Sequence, residues 1–166
     1  FLVVATLVVK KQLNYIQSKD VGFEGEQIVY FDLDKDAKKN FEVVKNTLLS
    51  NPNIEMVSSA SNVPSSVGSA HGIQTGETGA DWELIYFLNA EEDYMDLVGL
   101  DLLAGLSLKD RSVTFNESDT LAKNPSYIIN ETTAKLFNWT PEEAVGQPII
   151  IGGREAPVQG VVKDFH

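Results

Sequence analysis

The chain has 166 residues, no cysteine and a formal net charge of −11, with 43% hydrophobic and 22% charged residues. That balance describes a globular chain of one domain or two small subdomains, with enough residues to bury a core. The acidic excess argues against a nucleic-acid partner, and the missing cysteines exclude thiolate metal sites, disulfides and cysteine nucleophiles.

The first nine residues, Phe1 to Val9, contain one polar side chain, Thr6. Such a run falls well short of the ~20 residues a membrane-spanning helix needs. Val9, Leu13 and Ile16 then recur at helical spacing, and Gly22 is a helix stop, so residues 1–20 read as one helix. QIVYFDL (27–33) reads as a strand, FEVVKNTLLS as a helix with Phe41, Val44, Leu48 and Leu49 on one stripe, and IEMVSSAS (54–61) as a second strand. Together they suggest a βαβ-like unit. The lysines at 35, 38 and 39, interleaved with Asp34 and Asp36, fit a solvated helix start.

Composition shifts between 62 and 81, where glycine, serine and threonine predict a long polar loop. WELIYFLNA (82–90) follows as a strand, and EEDYMDLVGL as a short helix with acids in its first turn, a buried side of Tyr94, Leu97 and Val98, and Gly99 as its end. Residues 109–125 form a second polar stretch. SYIIN (126–130) is a strand leading into a helix capped by Asn130 with Ala134 and Phe137 inward. Thr140-Pro141-Glu142-Glu143 has the N-cap, N1 proline and N3 glutamate of a capping box, and Gly146 stops that helix. A hairpin about Gly152-Gly153 closes the sequence.

No residue set carries a recognisable chemistry. Asp32, Asp34 and Asp36 match three positions of a calcium loop, but Ala37 and Val43 stand where glycine and glutamate belong. Gly68, Gly72, Gly76 and Gly79 lack the lysine and spacing of a phosphate cradle. His71 and His166 are isolated, and Glu91-Glu92 are explained by the helix dipole. The sequons at Asn116, Asn130 and Asn138 read as coincidence rather than glycan sites, since Asn130 and Thr140 are explained as helix caps and Trp139 as an inward residue. The expectation is therefore no catalytic, cofactor-binding or metal-binding residues, and no cofactor.

A series of ordered blocks is more informative. KKQLNYIQSKDVGFEGEQIVYFDL, NPNIEMVSSASNVP, YMDLVGLDLLAG, YIINETTAKLFNW, PEEAVGQPI and VQGVVKDFH cover nearly the whole chain. In order and spacing they resemble the periplasmic core domain of MacB-like, FtsX-type ABC transporter permeases, in the form associated with Bacteroidetes. The resemblance implies an α+β, two-lobed periplasmic domain. Residues 1–22 would be the outer end of a truncated membrane helix and its stalk. Residues 23–61 and 125–166 would build a mixed α/β porter-like lobe, and 62–124 an inserted smaller lobe.

The same resemblance implies a non-enzymatic role in transport or efflux. The domain would lie on the periplasmic side of a bacterial inner membrane and convert ATP hydrolysis by a separate ABC ATPase subunit into periplasmic motion. Its partners would be that ATPase through the membrane domain, a second permease copy as homodimer or pseudo-dimer, and a periplasmic adaptor or lipoprotein, with no nucleic acid. Two other readings compete. One is a ligand-sensing domain between two membrane helices of a receptor, with 62–81 as its lid. The other is a hydrolase using Glu77, Asp81 or Glu83.

Overall fold

The computed structural model describes residues 1–18, 27–63, 69–75, 81–110 and 126–165. Helix α1 (Leu2–Ser18) matches the expected opening helix, and residues 1–13 are exposed throughout. No helix among the described residues is long and apolar enough to cross a membrane. The predicted stop at Gly22 lies outside the described residues.

Residues 28–33 differ from expectation. They form no strand, and Val29, Tyr30 and Phe31 stand exposed. β-Branched and aromatic residues favour a strand only where a ladder partner exists, and none is present among the described residues. Residues 54–61 likewise form only a single antiparallel bridge, Ala60 to Ala90. The βαβ-like unit is therefore absent among the described residues, although its helix is present. Helix α2 (Lys35–Lys39) is capped by Asp34, whose carboxylate accepts from the Asp36 and Ala37 amides, and helix α3 (Phe41–Leu49) follows.

The body is α+β. It contains a six-stranded sheet among the described residues, in the order β2 (Glu83–Phe87), β1 (Ser69–Thr75), β5 (Pro148–Ile151), β6 (Arg154–Val162), β3 (Leu102–Gly105), with β4 (Tyr127–Asn130) also paired to β6. Strand β1 (Ser69–Thr75) lies inside the stretch expected to be a loop. Its SAHGIQT sequence carries one large apolar residue, Ile73, and its ladders to both neighbours make it a strand. Strand β2 (Glu83–Phe87) agrees with the sequence reading, and helix α4 (Tyr94–Leu97) buries Tyr94 and Met95 before Val98 and the positive φ of Gly99. Strand β3 (Leu102–Gly105) carries no alternation that would announce it; it pairs antiparallel with β6.

The C-terminal third follows the sequence closely. Strand β4 (Tyr127–Asn130) runs parallel to β6, and Asn130 caps helix α5 (Glu131–Leu136) by accepting from the Thr133 amide. Thr140 and Glu143 close the capping box of helix α6 (Pro141–Ala144). Strands β5 (Pro148–Ile151) and β6 (Arg154–Val162) form the hairpin, turning at Gly152 and Gly153 with φ of 57° and 79°. Both glycines take the left-handed conformation that side chains resist.

Strand β6 organises the sheet. Its first half pairs with β5, and its second half with β3 and β4. Ile73, Ile129, Ile149, Ile151, Val158 and Val161 form the core with Ala134 of α5 and Ala144 of α6. Each large aliphatic side chain buried there contributes about 1.5–3 kcal/mol. The sheet draws strands from 62–124 and from 125–166, the two stretches that the resemblance assigns to different lobes.

Candidate interaction surfaces

The described residues hold no group of three or more histidine, aspartate or glutamate side chains placed to bind a metal ion. Asp34 of the imperfect calcium motif is occupied as a helix cap. His71 stacks edge-on against Phe87 with centroids 4.8 Å apart. A Cβ at Gly152 would meet its Nδ1 at 3.1 Å, so the imidazole packs beneath the hairpin turn. His166, Glu77, Asn116, Gly68, Gly76 and Gly79 lie outside the described residues. Asn138 takes φ 58° after α5, and Trp139 packs against the core beside Phe137, with ring centroids 5.0 Å apart. Asp81 and Glu83 sit exposed at the start of β2, with no histidine brought to them by the pairing of β1 and β2 except His71, opposite Ile85.

The acids before α4 do more than complement a helix dipole. Asp93 makes no side-chain cap to its helix. Its carboxylate instead receives the Lys45 ammonium of α3 at 2.7 Å and the Lys109 ammonium at 3.1 Å. Lys109 also reaches Asp96 at 2.5 Å, and Lys45 lies 3.9 Å from Glu91. This chain of charges fastens α3 to the α4 region and to the segment after β3.

The hydrogen bond from Lys45, then that from Lys109, holds Asp93 below the usual carboxylate range. The same bond to Asp93 raises Lys45. Glu91 moves the other way, raised chiefly by burial with Lys45 opposing. Burial alone pushes the Tyr94 phenol up to about 12, and its hydroxyl and Ser58 Oγ are buried without a hydrogen-bond partner.

The second surface is the solvent face of the sheet. Alternation along β2 turns Ile85 and Phe87 to the core and leaves Leu84 and Tyr86 exposed at 68% and 62%. Trp82, two residues earlier, is 56% exposed and lies across β1, where a Cβ on Gly72 would meet its ring at 2.7 Å. The absent side chain at Gly72 makes room for the indole. This glycine reads as a loop residue in sequence, and only the cross-strand register reveals its role.

No family model matches the chain, and no curated protein matches it. Solved structures do. A domain of a Porphyromonas gingivalis protein described as a permease superposes with a TM-score of 0.52 at 16% identity, covering 74% of this chain and 46% of that one. The chain shares that domain's fold over the aligned part. The extracellular domain of the noncanonical ABC-type transporter YknZ from Gram-positive bacteria matches with a TM-score of 0.49 at 21% identity, over 81% of this chain and 65% of that one. The periplasmic region of MacB from Actinobacillus actinomycetemcomitans matches with a TM-score of 0.44 at 19% identity, over 80% and 57%. The chain spans less than two thirds of the length of each of these structures. The two features above are surfaces: a charged clasp at α3–α4 and an apolar sheet face at β1–β2.

Proposed function

We propose that the chain is the extracytoplasmic domain of an ABC transporter permease subunit, facing the periplasm from a bacterial inner membrane. The observation that carries this reading is the fold shared with the Porphyromonas gingivalis permease domain over 74% of the chain. The exposed start of the chain, Phe1 to Val9, apolar except for Thr6, then represents with the rest of α1 the outer turns of a membrane helix continuing into a stalk. The domain binds no cofactor and catalyses no reaction. ATP is hydrolysed on a separate ATPase subunit, and the permease, working as a homodimer or pseudo-dimer, passes the resulting movement to this domain for export or efflux.

The charged clasp and the apolar sheet face are the places where a periplasmic adaptor or lipoprotein would dock. The test is to purify the full-length protein from membranes under mild detergent. Co-purification of an ABC ATPase, with transport lost when residues 27–165 are deleted, supports the reading. A membrane partner of kinase or methyl-accepting type replaces it with the ligand-sensing alternative.

A further inference from the structure

We infer that the outer edge of β2 is a self-association surface through which two copies of this chain pair antiparallel about a twofold axis at Ile85. The inference does not rest on the transport reading. Strand β2 ends the strand order, and among the described residues it pairs with β1 alone. Edge strands in soluble proteins are usually guarded by charged side chains, proline, a bulge or a covering element, and the one charge on this strand, Glu83, stands exposed at its first residue. ELIYF has no lysine or proline, its register with β1 is unbroken from Glu83 to Phe87, and its middle is Leu84, Ile85 and Tyr86. Among the described residues its outer edge has no ladder partner, and strand-forming side chains flank it.

The sequence of β2 favours a second copy as the occupant. The antiparallel register that overlaps all five residues sets Glu83 opposite Phe87, Leu84 opposite Tyr86, and Ile85 opposite itself. No carboxylate meets a carboxylate. Two aliphatic–aromatic pairs form on the solvent face, the kind of cross-strand pair that stabilises a ladder. Ile85 and Phe87 continue the core face of both sheets. The interface is isologous, as a twofold dimer requires. The exposed stripe of Trp82, Leu84 and Tyr86 then runs on into its counterpart. Opposing this is the net charge of −11 on each copy, a repulsion that salt screens.

The absence of native cysteine makes the register directly readable. L84C and Y86C chains of residues 1–166 are oxidised alone and as a mixture. Facing residues meet the Cα separation a disulfide needs, whereas 84 to 84 is a diagonal of about 7–8 Å. The mixture is expected to cross-link about tenfold faster than either variant alone. In sedimentation velocity, L84K/Y86K is expected to lower the dimer fraction about tenfold, and added salt to raise that of the wild type. Both side chains are exposed, so circular dichroism should be unchanged.

An L7E variant separates association through the exposed face of α1. Dimers that vanish with L7E yet ignore the two lysines overturn the proposal. So do equal cross-linking rates in all three samples. A wild type that stays monomeric across concentration and salt also overturns it, leaving the edge to an extended segment of another protein.

Discussion

Lys45 Nζ lies 2.7 Å from Asp93 Oδ2, joining residues 48 positions apart in the sequence. The pair is the hub of a charged chain that also takes in Glu91, Asp96 and Lys109. Both side chains are largely withdrawn from solvent, at 15% and 22% exposure, so the contact falls toward the upper part of the range for surface ion pairs. K45M and D93N should each lower stability by about 1 kcal/mol, and the double mutant should lose less than the sum. Denaturant unfolding of the four proteins in the cycle measures this.

The acid response of this clasp has two opposing parts. The Asp93 pKa is depressed below its ordinary value of 3.8, so its stabilisation is present above that pH and is lost as pH falls through the depressed value. The Glu91 pKa is raised above 4.5, so keeping Glu91 ionised costs stability as pH rises through the raised value. D93N should therefore flatten the stability loss below about pH 4. E91Q should instead stabilise the protein at neutral pH relative to its effect at pH 4. Thermal unfolding between pH 3 and 7 reads both slopes.

Gly105 is a backbone requirement rather than a loop residue. It has φ +81°, and a Cβ there would lie 2.3 Å from the Gln159 carbonyl oxygen and 2.8 Å from Gly160 Cα. G105A should cost about 2 kcal/mol or more, since backbone must shift to admit it. G72A presses a Cβ against the exposed Trp82 ring instead, which can swing away. In a W139F background it should shift Trp82 fluorescence to the red while costing less than about 1 kcal/mol.

The C-terminal elements offer a calibrated pair of substitutions. T140A removes the side-chain half of the capping box and should cost about 1 kcal/mol. I149A empties a fully buried site between sheet and helices and should cost about 2–5 kcal/mol. Equal effects of the two in chemical denaturation would contradict the placement of the core.

How far the sequence could be read depended on whether a signal was local. The caps at Asn130 and Thr140 and the turn at Gly152-Gly153 are local chemistry, and each stands where the residues place it. Strand β1 was hidden because its pairing to β2 and β5, not its SAHGIQT composition, makes it a strand. QIVYFDL erred in the opposite sense, having strand propensity but no ladder partner among the described residues. The clasp was legible only as charges: Glu91 to Asp93 suggested a dipole, and nothing in the sequence announced that Lys45 and Lys109 would converge on them. The permease likeness rested on the order of blocks and is matched at the level of fold.

The most direct test of the account is the side of the membrane on which this domain lies. The 166 residues contain no cysteine, so a single S50C, at the exposed end of α3, can be placed in the full-length protein, with any cysteines elsewhere replaced. Intact cells are treated with a membrane-impermeant maleimide small enough to pass outer-membrane pores. An extracytoplasmic permease domain predicts labelling of intact cells equal to that after lysis. Labelling that appears only once the inner membrane is broken would contradict it.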